Sequence, residues 1–368
     1  MRRSRGSAVP IGALVPLSRP GWVEAGRHLL AGLQLAVRDV NETEALAGRS
    51  LELVVRDTAA DPGRAAVAVE ELTRDGVVAL VGEYHSVAAR AAAAAAEALE
   101  VPFLCSSAVL DELTPRPADW VARVAPTQSH SWCVFADHLL RAGHVRVAAV
   151  MQRSIYWEAG IRILSRHLAA RCGSVVELTA DALSPAAVCD ELAGTGATAL
   201  LLLVGHPEPA ISIVQAVRRD PRLTGVTIGA PAGQPEFAPW GRLSGGSGSA
   251  VPFLRYRPEQ LSPLAARVDD SLREQLREPP SFVALEGYDS IAVIADVLRR
   301  HDAERPRTVG FWSEVAVEGT RGRIRFSRPP DVPVWQWVWP PVQVVERDPA
   351  GPTELRLAPT RSEVGEWG

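Results

Sequence analysis

The sequence contains no lysine, so all 39 basic residues among its 368 are arginines. A Walker A phosphate loop, a Schiff-base lysine and a lysine general base are therefore excluded. Arginine stays protonated, so it can bind an anion but is a poor proton shuttle. The abundance of Ala, Arg, Gly, Pro and Val favours the codon bias of a GC-rich genome as the cause of this absence.

Cysteine is also scarce, and its four copies are scattered as Cys105, Cys133, Cys172 and Cys189. No CxxC or CxH pair is present, so no zinc site is predicted, and either disulfides or buried thiols fit this spacing. The formal net charge is -4, which gives no basic surface of the kind that nucleic-acid-binding proteins carry. Nucleic acid is therefore not an expected partner.

Catalytic motifs are missing as well. His144 and His206 have no HExxH or HxxxE context, no GxGxxG follows the first apolar run, and GxSxG is absent. An enzyme with a Rossmann-like lobe is therefore the least favoured interpretation. We expect no catalysis, no metal and no cofactor.

Long apolar segments are absent too. Residues 1–22 imitate a signal peptide, with basic residues before an apolar run, but Pro10 and Pro16 interrupt that run and no small-x-small cleavage site is evident. No later segment reaches the ~18 uninterrupted apolar residues of a membrane helix. The sequence as it stands predicts a cytoplasmic protein without membrane insertion, and an exported protein is the alternative if the true start lies upstream.

What the chain does contain is an alternation of apolar strands and amphipathic helices, with 47% hydrophobic and 22% charged residues. This alternation of strands and helices predicts βαβ units and parallel sheets. Because the alternation starts again after about 140 residues, it predicts an α/β fold of two Rossmann-like lobes. The last third predicts two helices and then strand-like pieces, in one of which Trp335, Trp337 and Trp339 share a face. Residues 349–368 are predicted to be a disordered tail. The predicted strands of the two repeats are 8–15, 51–57, 77–81 and 102–104, then 144–151, 174–178, 197–204 and 226–228.

The connections that follow parallel strands are the expected ligand sites, because helix N-termini there offer free backbone N–H groups. Ser86, at the start of an alanine-rich helix, is the best single candidate for a small polar or anionic group. A plain N-cap without a ligand is the alternative at this position.

Several segments occur in an order and spacing that resemble the type I periplasmic binding proteins, in particular their branched-chain amino acid and amide binding branch. The resemblance covers residues 8–348 and implies two lobes joined by three crossovers, with ligand bound in the cleft between them and closure about a hinge. Lobe 1 would be 7–122 plus 252–332, and lobe 2 would be 123–251 plus 333–348. The segments are LAGLQLAVRDVNE, LELVVRDTAADPGRAAVAVEEL, VALVGEYHSVAARAAAA, VPFLCSSAVLDELT and WVARVAPTQ.

The resemblance also implies ligand-binding positions. Ser86 falls on the serine that binds the ligand carboxylate or amide, and Ser107 and Ala108 fall on the backbone segment that assists it. Tyr156 matches the aromatic residue of the second lobe that closes over the ligand. The remaining positions are His206, or its neighbour Gly205, where amino-acid binders have a tyrosine; Trp22, in a packing loop; and Ala232, where they have a glutamate.

Two departures from the amino-acid binders bear on the ligand. Val109 stands where they have a threonine, and Ala232 replaces the glutamate that pairs with the α-ammonium. A buried ammonium without that partner costs on the order of 2–5 kcal/mol. We therefore expect an amide, a urea-like compound or a carboxylate with an apolar or aromatic body, although Glu236 could restore the charge. No mapped position is basic and the nearest cation is Arg90, which favours a weakly charged or neutral ligand.

The resemblance implies binding of a small molecule without catalysis. The substrate-binding component of an ABC importer, with a permease as partner, is one function that fits. A cytoplasmic ligand sensor that regulates a partner protein, as amide-responsive regulators of this fold do, is the alternative.

Overall fold

The computed structural model describes residues 8–43, 46, 48–237, 240, 248–351 and 354–360. The chain divides into two compact units, unit 1 with residues 1–127 and 256–341 and unit 2 with residues 128–255 and 342–368. Its elements, in chain order, are β1 (Val9–Val15), α1 (Val23–Glu42), β2 (Leu51–Asp57), α2 (Pro62–Arg74), β3 (Ala79–Gly82), α3 (Ser86–Ala98), β4 (Phe103–Cys105), β5 (Val121–Arg123), α4 (Gln128–Arg141), β6 (Arg146–Met151), α5 (Ile155–Ala169), β7 (Ser174–Glu177), α6 (Pro185–Thr195), β8 (Ala199–Leu203), α7 (Ala210–Arg219), β9 (Thr227–Gly229), β10 (Phe253–Arg255), α8 (Pro263–Leu276), α9 (Phe282–Arg300), β11 (Val317–Gly319), β12 (Gly322–Ile324), β13 (Phe326–Ser327), β14 (Trp335–Trp337), β15 (Gln343–Arg347) and β16 (Leu355–Leu357).

Unit 1 is built on a seven-stranded sheet in the order β13-β14-β5-β4-β3-β1-β2. Every pairing from β14 to β2 is parallel, and only β13 runs antiparallel to its neighbour. The carboxyl ends of β1 to β5 therefore lie at one edge of this sheet, where connections to helices begin. The apolar run that imitated a signal peptide is β1, which pairs with both β2 and β3 and is almost entirely buried.

Helices α1 and α9 pack closely in unit 1 because glycines lie at their contact. A Cβ atom on Gly32 would lie 1.9 Å from the carbonyl oxygen of Ala284, and one on Gly287 would lie 2.5 Å from the carbonyl oxygen of Leu29. Side chains at these two positions would force the helix backbones apart. The sequence therefore specifies this close helix pair through residues that have no side chain.

Unit 2 has a four-stranded parallel sheet in the order β7-β6-β8-β9 and a three-stranded antiparallel sheet in the order β10-β15-β16. Its apolar core includes Val150, Leu202, Ile213, Trp240 and Phe253. Two parallel central sheets, each in its own unit, confirm the α/β fold class with two Rossmann-like lobes.

The chain passes from one unit to the other after residues 127, 255 and 341. The lobe boundaries predicted from the sequence lie after residues 122, 251 and 332. The third difference is the largest because β14 pairs with β5 in unit 1. The prediction of a disordered tail from 349 is wrong for Leu355–Leu357, which form β16 and pair with β15. Residues 361–368 of that tail lie outside the described part of the chain.

The tryptophan stripe is only partly as predicted. The strand ends at Trp337, which is buried, while Trp339 lies beyond it and is 82% exposed, so it does not share the sheet face. Among the described residues, no helix combines the length and apolar character that a membrane span needs.

Candidate functional site

Two carboxylates organise the loops at the carboxyl edge of the unit 1 sheet. Asp57, the last residue of β2, accepts hydrogen bonds from the backbone N–H groups of Leu17 (2.8 Å), Ser18 (3.2 Å) and Ala59 (2.9 Å). Burial opposes ionisation of Asp57, but the Ser18 hydroxyl and these N–H groups outweigh it and lower its pKa. The loop after β1 is therefore held in place by a charged side chain of the neighbouring strand.

Glu83, which follows β3, holds the next loop in the same way but from a fully buried position. Its Oε1 accepts the backbone N–H groups of Tyr84 (2.7 Å) and His85 (2.9 Å), and its Oε2 accepts the Thr58 hydroxyl. Burial is the largest influence and raises the pKa of Glu83 to about 7, although these hydrogen bonds favour the ionised form. The sequence alone does not single out Glu83, because an acidic residue in a loop gives no sign that it is buried.

Ser86 is buried and begins α3, but it is not the N-cap. The N-cap is His85, and no side chain among the described residues caps this helix. The N–H of Ala89 donates to the His85 carbonyl at 2.8 Å, so the N–H groups of residues 86–88 have no intrahelical acceptor. The N-cap interpretation of Ser86 is therefore wrong, and the helix start presents backbone donors together with the Ser86 hydroxyl.

Ser107 and Ala108 lie next to this helix start, in the segment after β4. The Ser107 N–H donates to the Glu83 carbonyl at 3.3 Å, which joins the two loops. The Ser107 Oγ is buried and has no hydrogen-bond partner among the residues that the structure describes. A buried hydroxyl without a partner is uncommon in folded proteins. Ala108 and Val109 are buried and apolar.

Trp22 is joined to the same edge through His85. The Trp22 N–H donates to His85 Nε2 at 2.9 Å, so this ring nitrogen carries no proton. Burial lowers the pKa of His85 to about 4, which keeps the ring neutral. Tyr84 lies between the two, with its ring centroid 5.6 Å from that of Trp22 and 5.2 Å from that of His85. The structure thus brings together four predicted site residues of unit 1, namely Trp22, Ser86, Ser107 and Ala108.

In unit 2, Tyr156 lies in the first turn of α5, after the end of β6. Its ring is perpendicular to that of Trp132, with centroids 5.9 Å apart, and its carbonyl accepts a hydrogen bond from Gln128 Nε2 at 2.9 Å. Burial raises the pKa of Tyr156, so the hydroxyl stays protonated. Gly160 allows this packing, since a Cβ there would lie 2.1 Å from the Trp132 ring.

His206 lies at the adjacent strand end of unit 2, after β8. Gln152, which follows β6, accepts the N–H of Gly205 at 2.7 Å and so joins the two loops. No pattern in the sequence indicates this residue. The His206 ring lies 5.3 Å from that of Trp240, and burial lowers the pKa of His206 to about 4. The imidazole is neutral at physiological pH and does not supply a cation.

Ala232 is buried in the loop after β9, and the nearby carboxylate of Glu236 is already paired. Glu236 Oε1 lies 2.9 Å from Nε of Arg255, and both side chains are mostly buried. The charge of Glu236 is thus matched by a residue of its own unit, which argues against the expectation that it replaces the missing glutamate. Among the described residues, no group of three or more His, Cys, Asp or Glu side chains is placed to hold a metal ion.

Comparison with known proteins agrees with this architecture. A family profile described as "Periplasmic binding protein" matches residues 8–337. A leucine binding protein from Thermotoga maritima MSB8 is 20% identical with a TM-score of 0.77, over 96% of this chain and 99% of that chain. A branched-chain amino acid transporter substrate binding protein from Streptococcus pneumoniae, in complex with isoleucine, is 20% identical with a TM-score of 0.77, over 95% and 99%.

A third solved structure is an ABC transporter solute binding protein from R. palustris in complex with benzoate. It is 17% identical with a TM-score of 0.75, over 92% of this chain and 93% of that chain. No curated protein matches the sequence. The likeness to these structures shows the type I fold, and the profile match covers most of the chain. The protein therefore belongs to the periplasmic binding protein family.

Proposed function

We propose that the protein binds a small polar molecule without converting it, as the substrate-binding component of an ABC importer. The observation that carries this proposal is the start of α3 beside the hydroxyl of Ser107, which is buried and has no hydrogen-bond partner in the described part of the chain. Backbone donors at a helix N-terminus bind carboxylate and amide oxygens well, and the helix dipole favours negative charge there. Ser86 and Ser107 are the proposed hydroxyl contacts, with the backbone around Ala108.

The proposed ligand is not an ordinary α-amino acid. Two buried acids close to the predicted contacts are already engaged: Glu83 binds two backbone N–H groups, and Glu236 pairs with Arg255. An α-ammonium would have to be buried beside Val109 or Ala232, which offer no charge. A ligand with one polar end and an apolar or aromatic body fits better, and one of the structural relatives was solved with benzoate.

Aromatic residues are the proposed contacts for that body. Trp22 and Tyr84 form an edge-to-face pair in unit 1, and Tyr156 packs against Trp132 in unit 2. Such rings bury a large apolar area and keep one polar edge for hydrogen bonding. His206 is the proposed neutral contact of unit 2.

A thermal-shift screen with aromatic and branched carboxylates, their amides, ureas and α-amino acids tests this function. A ligand at 100 times its Kd adds about 2.7 kcal/mol of stability. We expect Ser107→Ala to leave the stability of the free protein almost unchanged, because no described residue is a partner of the lost hydroxyl, and to weaken binding about tenfold. Ser50→Ala, an exposed position in unit 1, is the matched control.

Three results would count against the proposal. Tight binding of leucine or valine would contradict the ligand class. Full affinity in Ser86→Ala, Ser107→Ala and Tyr156→Ala variants would show that the site lies elsewhere. Turnover of any bound compound would contradict a purely binding role.

Fractionation of native cells distinguishes the importer component from the alternative of a cytoplasmic ligand sensor. An importer component belongs outside the cytoplasm, whereas a sensor stays in the cytosol.

A further inference from the structure

Gln152 lies at the carboxyl edge of the parallel sheet of unit 2, close to two of the proposed ligand contacts. It directly follows β6, and its backbone N–H donates to the Leu203 carbonyl at 2.9 Å, which continues the pairing of β6 with β8. It begins the loop that leads to Tyr156, and its side chain bonds to Gly205, the neighbour of His206. The side-chain amide of Gln152 is therefore held at the strand ends from which the unit 2 contacts come.

One hydrogen bond fixes the orientation of the Gln152 amide. Its Oε1 accepts the N–H of Gly205 at 2.7 Å, and since a backbone N–H needs an oxygen acceptor, the other half of the amide is the Nε2 donor group. Nε2 itself has no acceptor among the described residues. Gln152 is half-buried and therefore offers two N–H donors at the edge of the sheet.

Gln128, the first residue of α4, presents the opposite half of its amide. Its Nε2 donates to the carbonyl of Tyr156 at 2.9 Å, so its Oε1 is the half that remains as an acceptor. Gln128 has no solvent exposure, and this Oε1 is buried without a hydrogen-bond partner in the described part of the chain. A buried amide oxygen in that state is uncommon and destabilising, which points to a donor that comes from outside the chain.

The two amides are anchored to the same stretch of unit 2 and differ in what they leave available. Gln152 starts the loop before α5, and Gln128 is bonded to the first turn of that helix. A carboxylate can only accept hydrogen bonds, and a hydroxyl accepts and donates from a single atom. A primary carboxamide has an acceptor oxygen and a donor NH₂ group on one carbon, and so it matches a donor and an acceptor that are anchored at separate points.

We propose that Gln152 and Gln128 contact the ligand and select a carboxamide as its second polar group. Nε2 of Gln152 donates to the carboxamide oxygen, and Oε1 of Gln128 accepts from its NH₂ group. This inference rests on the proposed function, which assigns the first polar group of the ligand to unit 1. The sequence does not indicate either residue, because each amide is oriented by a backbone group 53 or 28 residues away.

Two pairs of isosteric ligands test the acceptor of Gln128. In 4-carbamoylbenzoate and 4-acetylbenzoate, and in succinamate and levulinate, an NH₂ group replaces a methyl group. We expect calorimetry to show that the wild type binds each amide about tenfold more tightly than its ketone, and that Gln128→Met binds both equally. In Gln128→Glu, a buried carboxylic acid can donate its proton to the Tyr156 carbonyl and keep one oxygen as an acceptor, so this variant should retain the preference at pH 5.

Gln152→Glu tests the donor of Gln152. A glutamate oxygen can still accept the N–H of Gly205, but the side chain has no donor for the carbonyl of the ligand. The affinity for 4-acetylbenzoate, relative to that for benzoate, should therefore fall about tenfold. Benzoate carries the same carboxylate, so the ratio removes the repulsion from the new charge. Gln215→Glu, at a half-buried position of α7 whose side chain makes no hydrogen bond to a described residue, should leave this ratio unchanged.

The ratios distinguish recognition from loosened packing. Equal affinity of the wild type for amide and ketone, the result expected if water satisfies Gln128, would overturn the inference and leave the proposed function intact. The inference also fails if Gln128→Met and Gln152→Glu weaken all these compounds by the same factor, as a packing defect would. Failure of the wild type to bind any of them would overturn both the inference and the proposed function.

Discussion

Replacing Glu83 by glutamine should remove the contribution of this carboxyl group to the dependence of stability on pH between pH 4.5 and 8. The substitution preserves the local bonding, because a glutamine Oε1 can accept the N–H groups of Tyr84 and His85 as the carboxylate does. The amide nitrogen can then donate to the Thr58 hydroxyl, which now donates to the carboxylate. The change therefore removes an ionisation rather than a contact.

The magnitude follows from the difference in pKa between the two states. Burial raises the pKa of Glu83 from 4.5 to about 7 in the folded protein. Below pH 4.5 both states are protonated and the group has no effect on stability. Between pH 4.5 and 7 the unfolded chain loses the proton of Glu83 while the folded protein keeps it, so the contribution of this group to stability falls by about 1.4 kcal/mol per pH unit. Above pH 7 the wild type carries a constant penalty of about 3 kcal/mol that the variant lacks.

Urea unfolding of both proteins at pH 4.5, 6, 7 and 8 measures this difference. The free energy of unfolding of the variant, relative to the wild type, should rise with pH and level off above pH 7. Glu97→Gln is the matched control, since Glu97 also accepts two backbone N–H groups, those of Asp119 and Trp120, but is partly exposed. A difference that is flat with pH, or that grows toward acid, would refute the argument that Glu83 is held protonated by burial.

Two further predictions concern the packing of unit 1. Arg321→Met should cost about 3–5 kcal/mol in urea unfolding because it leaves Glu286 and Asp289 buried without their cation; an effect below about 1 kcal/mol would show that the pairs are not coupled to folding. Gly32→Ala should cost at least ~1–3 kcal/mol, since its methyl group would lie 1.9 Å from the Ala284 carbonyl oxygen. Gly194→Ala in α6, where a Cβ would meet no described atom within 4 Å beyond its chain neighbours and its own helix backbone, is the control without a collision, and the prediction fails if the two variants lose equal stability.

Local patterns in the sequence were sufficient to predict the elements that are built from them. The apolar run at Val9–Val15 and the alternating residues at Leu51–Asp57 are strands because nearest-neighbour chemistry already favours that conformation. The tail was predicted less well. Leu355–Leu357 form a strand only because β15 provides an edge to pair with, and a short stretch rich in Pro, Arg and Glu does not indicate that partner.

The candidate site depends even more on contacts between residues far apart in the sequence, which local patterns do not indicate. Ser86 could be selected from its place after a strand, but its role at the helix start depends on His85, whose ring is fixed by the Trp22 N–H, 63 residues earlier in the chain. Arg123, which donates to the Leu110 carbonyl in the segment after β4, depends on Gln336, which is 213 residues away. Contacts of this range are set by tertiary packing, so the sequence of each loop by itself could indicate the proposed ligand contacts but not the residues that hold them in place.

The absence of lysine from the sequence has a physical counterpart at Arg123. A lysine in this position would have one ammonium with a compact, strongly hydrated charge, and burial without a carboxylate partner would drive it to lose its proton. The arginine keeps its charge and spreads its donors, so it can bind the Leu110 carbonyl and the Gln336 amide oxygen at once. Two donors and a permanent charge at the base of the segment of residues 106–110 are therefore properties that arginine can give this position and lysine cannot.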